Sequence, residues 1–262
     1  MTGPGDETNS LEPMFKPVAV AVVGASAEPE KLGGRPVRYL KERGYAGAIY
    51  PINPRHAQVQ GLKAYKSVLD VEGPIDLALI STPAALVEQA VTECAEKGIK
   101  GVVIFSSGFA ELGEEGRAAQ QRLADIGAEA GMRIIGPNCM GIASFEQNMV
   151  ITFGMMVHYL PPEIGPISIV SQSGAFGGLA YTEARQRHLG VRLWATTGNE
   201  CDVSFADCLD YFVGEEGTEV VLLYFESTKS GGKILSALEK ARSLKKPVVV
   251  MKVGSSEVGR EA

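Results

Sequence analysis

Residues 167–170 form an apolar run that breaks into Ser171-Gln172-Ser173-Gly174 and then into a segment patterned as a helix. Two hydroxyls, free backbone N–H groups and the positive end of a helix at one point favour a phosphate or a carboxylate. The order S-Q-S-G lacks the G-x-S-x-G of a nucleophile elbow. The three histidines stand apart from it: His56 after a strand, His158 in an irregular stretch, His188 at a helix end, where its charge suits the helix dipole. Anion binding is therefore expected, not hydrolysis. Gly198-Asn199 and Glu226 close two further strands. Asp202 stands just before a helix and reads as its N-cap. No helix follows Glu226 immediately, so its carboxylate could fix a cation or orient an imidazole.

A second set of residues lies near the start. Residues 18–23 lead into a turn holding Gly24, Ser26, Lys31, Gly33, Gly34 and Arg35. The glycines are too widely spaced for G-x-G-x-x-G, yet N–H groups at a helix start can hold phosphate and Lys31 and Arg35 add charge. The next strand ends on Asn53, Pro54, Arg55 and His56, without the carboxylate that would hold an NAD ribose. That end suits a nucleotide with an extra ribose phosphate, NADP or coenzyme A; a plain βα turn with solvated basic residues is the alternative. Ser81, Thr82 and Pro83 end one more strand, and Ser106, Ser107 and Gly108 another. Together they could line a long, thin ligand, although each alone reads as a helix cap.

Apolar β-branched runs alternating with helical patterns supply the frame. Strands are expected at 18–23, 48–52, 76–80, 101–105 and 132–135, with helices at 35–43, 83–96 and 114–129, which is the rhythm of a parallel doubly wound sheet. Residues 143–165, with methionines, two prolines and no period, read as a connection between domains. A second series from residue 167 reads as a smaller flavodoxin-like sheet, with strands at 167–170, 191–195, 220–225 and 248–252. The expected division is a disordered tail at 1–12 and domains at 13–145 and 146–262.

The 262 residues are 45% apolar and 21% charged, with a formal net charge of −6. That balance argues against nucleic acid or an anionic membrane as the partner. No apolar run reaches bilayer length, and the start lacks the features of a signal peptide. Cys94, Cys139, Cys201 and Cys208 form no C-x-x-C pair, so no metal site and a reduced, cytoplasmic setting are expected.

GPNCMG at 136–141, SIVSQSGAF at 168–176, GNECDVSFADCLDYF at 198–212 and FESTKSGGK at 225–233 occur in that order. Together they resemble the CoA-binding and ligase portions of NDP-forming acyl-CoA synthetases, relatives of the succinyl-CoA ligase α subunit, over nearly the whole chain. The resemblance implies an α/β fold: an N-terminal Rossmann-like CoA-binding domain, then a flavodoxin-like domain of the succinyl-CoA-synthetase type. It implies coenzyme A with its phosphates near Lys31 to Arg35 and its adenosine near Asn53, Pro54 and Arg55. The pantetheine would pass Ser81, Thr82, Pro83, Phe105, Ser106, Ser107 and Gly108 to reach Asn138. In the family an acyl phosphate forms, and its phosphoryl group moves to a histidine and then to ADP or GDP. Ser171, Ser173 and Gly174 would hold that phosphoryl group, and Glu226 would orient the histidine.

The family histidine lies shortly after the last strand, in His-Thr-Gly or His-Ala-Gly, and none of the three histidines here matches it. The ATP-grasp portion, which would bring ATP or ADP and magnesium, is also missing. The chain is therefore expected to be truncated, and to bind CoA without completing the ligase reaction alone. Its expected partners are a small carboxylic acid, an ATP-grasp domain or subunit, and further copies in an oligomer. Gly177 and Gly178 stand where succinyl-CoA ligases carry bulkier polar residues, which points to a different acyl group, a larger one included. Two other readings are a CoA-binding regulatory module of a protein acetyltransferase and an NADP-dependent Rossmann oxidoreductase, the latter without residues for proton transfer.

Overall fold

The computed structural model describes residues 11–228 and 230–254. After a short helix α1 (Glu12–Phe15), β1 (Ala19–Val23), α2 (Arg35–Glu42) and β2 (Ala48–Ile52) open the first half. Two tiny strands, β3 (Gln58–Val59) and β4 (Leu62–Lys63), form a separate hairpin. β5 (Leu77–Ile80), α3 (Val87–Lys97), β6 (Gly101–Ile104), α4 (Glu114–Ala130) and β7 (Arg133–Ile135) follow. The five-stranded sheet has the order β2-β1-β5-β6-β7 and is parallel throughout. β5 and β6 are buried at every position, as strands covered on both faces must be. Val87, Ala90, Val91 and Cys94 form the buried stripe of α3 at helical spacing. Left-handed Gly98 and Gly131 close α3 and α4.

The stretch expected to be an irregular connection is instead a hairpin, β8 (Gly141–Ser144) and β9 (Met149–Thr152), followed by a single-turn helix α5 (Met156–Tyr159). All eight strand residues are buried, so the hairpin shows no alternation in sequence. β10 (Ile167–Ser171), α6 (Gly174–Gln186), β11 (Val191–Thr196), α7 (Phe205–Gly214), β12 (Val220–Phe225), α8 (Gly231–Ser243) and β13 (Val248–Lys252) complete the described fold. β8 pairs antiparallel with β11, giving a mixed sheet ordered β13-β12-β10-β11-β8-β9. The second sheet is therefore not the smaller one: it has six strands against five. A division at 145/146 falls between β8 and β9, two strands of the same sheet.

Residues 1–10 of the expected tail lie outside the described residues, but 11 and 12 do not belong to it. Leu11, Met14 and Phe15 are buried, and the Phe15 ring lies 5.2 Å from Tyr211 and 5.1 Å from Phe212 on α7. The chain start is thus packed under the second half. Helix α2 ties the halves from the other side. Arg35 Nη1 donates to the Phe153 carbonyl (2.8 Å), Tyr39 OH to that of Gly154 (3.2 Å) and Arg43 Nη2 to that of Val157 (2.6 Å). One apolar cluster runs from Val20 and Leu77 through Phe105 to Val170 and Leu223, so both sheets share a core. No helix among the described residues is long and apolar enough to cross a membrane.

Candidate active site

The carboxyl ends of β6 and β7 face those of β10, β11 and β12 across a cleft of about 530 Å³. Its walls include Phe105 and Asn138 from the first half, and Ser173, Gly174, Asn199 and Glu226 from the second. Strand ends from the two halves, far apart in sequence, thus meet in one cavity.

On the second-half wall, Ser173 caps α6: its Oγ accepts from Phe176 N at 3.3 Å. The first N–H groups of the helix lack intrahelical partners and give this wall its positive end. A Cβ at Gly174 would come within 3.1 Å of Met140 Cβ, so glycine lets the two halves approach. Ser171 does not join this wall. It is fully buried and its Oγ donates to the Ser173 carbonyl at 2.6 Å, shaping the turn from within. Glu226 is exposed in the cleft and accepts from Tyr224 OH at 3.1 Å, while the Tyr224 ring stacks on Phe176 at 4.0 Å. Gly177 and Gly178 face different ways. A Cβ on Gly177 would lie 2.7 Å from Thr196 Cγ2 in the sheet, whereas one on Gly178 would meet only Met140 and Met156, at 3.6 Å and beyond. The first is a packing requirement and says nothing of an acyl group.

Asn138 follows a cis Gly136–Pro137 bond, sits at φ 60° and donates through its amide to Asn199 Oδ1 at 3.3 Å. Asn199 in turn donates to Gln120 Oε1 at 3.1 Å and Glu111 Oε2 at 2.5 Å. Phe105 packs edge-on against Phe153 at 5.1 Å. The neighbouring strand ends do not serve as helix caps. Ser81 Oγ donates to the Val23 carbonyl at 3.1 Å, Ser106 Oγ donates to the Thr82 carbonyl, and α3 and α4 begin elsewhere. Thr82 Oγ1 is buried without a partner, Pro83 and Ser107 are exposed, and Gly108 N donates to Glu111 Oε1 at 2.5 Å.

The first turn is tightly folded. A Cβ on Gly33 would lie 2.1 Å from the Gly24 carbonyl oxygen, and one on Gly34 1.9 Å from that of Glu28. Ser26 Oγ accepts from Glu28 N at 3.1 Å, and Lys31, exposed, pairs with Glu28 at 2.5 Å. Arg35 donates across the halves to the Phe153 carbonyl. Asn53 also holds the frame: it donates to the Ala25 carbonyl at 2.7 Å and accepts from Arg55 N at 2.8 Å. Pro54, Arg55 and His56 are exposed beside it.

Asp202 is not an N-cap. It accepts from Arg133 Nε at 2.9 Å and Ile134 N at 2.8 Å, pinning the end of β11 to β7. Ser204 caps α7, in a reciprocal box with Asp207. None of the three histidines lines the cleft, and no cluster of His, Cys, Asp or Glu among the described residues could hold a metal. Two residues were missed by the sequence reading although they lie inside quoted motifs. Gln172 Oε1 accepts from Glu226 N at 2.9 Å and Ser227 N at 3.2 Å. Glu200 accepts from Thr197 Oγ1 at 2.6 Å and Phe205 N at 2.8 Å; burial pushes its carboxyl above the usual range, against the pull of these bonds. Neither role is legible from residue type: that of Gln172 depends on which strand ends are neighbours, and that of Glu200 on the path of the loop from Thr197 to Phe205.

Two family models match the chain: a CoA binding domain at 18–144 and a succinyl-CoA ligase like flavodoxin domain at 164–262. The α subunit of acetate–CoA ligase [ADP-forming] II from Pyrococcus furiosus is 41% identical over 253 residues, 96% of this chain and 54% of the relative. A crystal structure of a Pyrococcus horikoshii protein has a TM-score of 0.87 at 38% identity, covering 96% of this chain and 56% of that one. A Ca. Korarchaeum cryptofilum dinucleotide forming acetyl-coenzyme A synthetase 1, in complex with phosphate and ADP, has a TM-score of 0.87 at 34% identity, covering 96% and 53%. The chain thus spans about half the length of these relatives. Ordered motifs, both domain models and both halves of the fold agree: the chain belongs to the NDP-forming acyl-CoA synthetase family, of which it carries the CoA-binding and ligase-type portions.

Proposed function

We propose that this chain is the CoA-binding and ligase portion of an acyl-CoA synthetase that interconverts acyl-CoA, NDP and phosphate with a carboxylic acid, CoA and NTP. The observation that carries the reading is the shared cleft: Phe105 and Asn138 from the nucleotide-binding half open onto Ser173, Gly174 and Glu226. A thiol arriving along the first sheet meets an anion site at a helix start, the juxtaposition that acyl phosphate chemistry needs. Thr82 supports the track, because a buried hydroxyl without a protein partner is costly unless a ligand satisfies it. The residues thus fit coenzyme A, which supplies the attacking or departing thiol.

In this reading the exposed Lys31 and Arg55 meet the CoA phosphates, and Asn138, oriented by Asn199, faces the thiol end. The start of α6 holds the phosphoryl oxygens through N–H groups that are already in place. Glu226 orients the histidine on which the phosphoryl group travels. The ATP-grasp portion, as domain or subunit, an oligomeric assembly and a cytoplasmic setting belong to the same reading.

Calorimetry with CoA, dephospho-CoA and NADP tests it. Binding of CoA, weakened by loss of the ribose 3′-phosphate and weakened again in Arg55→Ala, is the expected outcome. NADP bound in place of CoA would overturn it.

A further inference from the structure

Met140 follows Asn138 by two residues and lines the cleft, half-buried. Its side chain runs along the start of α6 over two glycines. A Cβ on Gly174 would stand 3.1 Å from Met140 Cβ, and one on Gly178, a turn later, 3.6 Å from the Met140 sulfur. The half-buried Met156 lies beside it: a Cβ on Gly178 would meet the Met156 sulfur at 4.0 Å, and one on Gly154 would meet both sulfurs. The adjoining wall is aromatic, with Phe153 edge-on to Phe105 at 5.1 Å. The Met140 backbone is pinned on both sides. Thr196 Oγ1 accepts from its N at 2.9 Å, and Thr152 Oγ1 donates to its carbonyl at 2.8 Å. A fixed backbone thus carries an unbranched, pliable thioether across helix positions that have no side chains of their own.

We propose that Met140 is a specificity-determining residue: its side chain closes the cleft along the path of the acyl chain and so sets how long an apolar acyl group is accepted. The inference rests on the function proposed above, in which the acyl carbon lies between the thiol at Asn138 and the phosphoryl group at the start of α6. Met140 stands between the two, next but one to Asn138 in the chain and packed against Gly174. The substrate class is a monocarboxylic acid with a short apolar chain. A second carboxylate at the far end of that chain would be set against thioethers and aromatic rings, at a cost that apolar carbons do not carry. A longer chain would have to take the space over Gly178 that the Met140 thioether fills.

The test is calorimetry of the full chain with CoA, acetyl-CoA, butyryl-CoA, hexanoyl-CoA and succinyl-CoA. Butyryl-CoA should bind more tightly than succinyl-CoA, which matches it in length but ends in a carboxylate; the reverse order would overturn the assigned class. Met140→Ala should raise the affinity for hexanoyl-CoA relative to acetyl-CoA about tenfold. Adding Gly178→Met to that variant should take the gain back, because the new side chain lies across the same space. A general loosening of the fold would not discriminate by chain length or be reversed in this way. In the unaltered chain labelled at its methionine methyls, the Met140 signal should shift with hexanoyl-CoA and stay put with CoA. That readout decides alone should the alanine variant fail to fold. CoA bound with a hexanoyl-to-acetyl ratio that Met140→Ala leaves unchanged, or with a Met140 methyl blind to the acyl chain, would overturn this inference only. Failure of CoA itself to bind would overturn the functional reading and this inference with it.

Discussion

Asp207, in the first turn of α7, illustrates how a single carboxylate couples charge to the fold. Burial alone would push it up, but hydrogen bonds from Lys233 (2.7 Å) and Ser204 (Oγ at 2.5 Å) outweigh burial and hold it below its ordinary value of 3.8. The unfolded chain then binds the proton more readily than the folded one. The stabilisation is therefore complete above pH 3.8 and is lost as pH falls through the lower folded value. Asp207→Asn is expected to cost about 2 kcal/mol in urea unfolding at pH 7, with the difference narrowing below that point. At this scale the sequence was a partial guide. That Ser173, Gly174, Asn138 and Glu226 stand at strand ends was legible in the sequence; that they line one cleft is seen only in the fold. The partners of Asp202 and Arg35 were not legible, because Arg133 and Phe153 come near only in the packed chain, and Ser171 turns inward onto its own turn. Gln172 escaped because its partners lie on a neighbouring strand end, and Glu200 because its bonds follow the path of its own loop.

Among the elements, α6 shows how closely helix and sheet must approach. Trp194 Nε1 donates to the Gly177 carbonyl at 2.9 Å, and a Cβ on Gly177 would crowd the buried Thr196 and Ser171 side chains at 2.7 and 3.1 Å. Gly177→Ala is expected to lower stability by about 1–3 kcal/mol, because neither neighbour can retreat. Gly178→Ala, one residue on, meets ordinary contacts and is expected to be neutral or slightly stabilising, since alanine favours helix. Equal urea midpoints for the two variants would contradict this account of the helix–sheet contact. The parallel strands were legible as continuous apolar runs, and α3 as a periodic stripe. The β8–β9 hairpin was not, because burial on both faces removes alternation and its four-residue strands are too short to show a period. The same short span hid α1, whose anchoring residues Leu11, Met14 and Phe15 are recognisable only against α7.

For the whole molecule, two sheets share one core, and α2 and α1 bind the halves together from opposite ends. The cleft is a consequence of that union: neither half closes it alone, and each contributes the strand ends where such sheets place ligands. The fold class and the order of the halves were legible in the rhythm of strands and helices. The pairing of the hairpin after residue 140 with the second sheet was not, since its short, fully buried strands show no period. The central claim is that a CoA thiol guided by the first sheet arrives at the start of α6. Its most direct test is paramagnetic broadening by CoA carrying a nitroxide on its sulfur, read on the assigned amides of the full chain. Strongest broadening at Asn138, Gly174 and Ser227 is the result this account predicts. Bound CoA that broadens other amides and spares these three would contradict it.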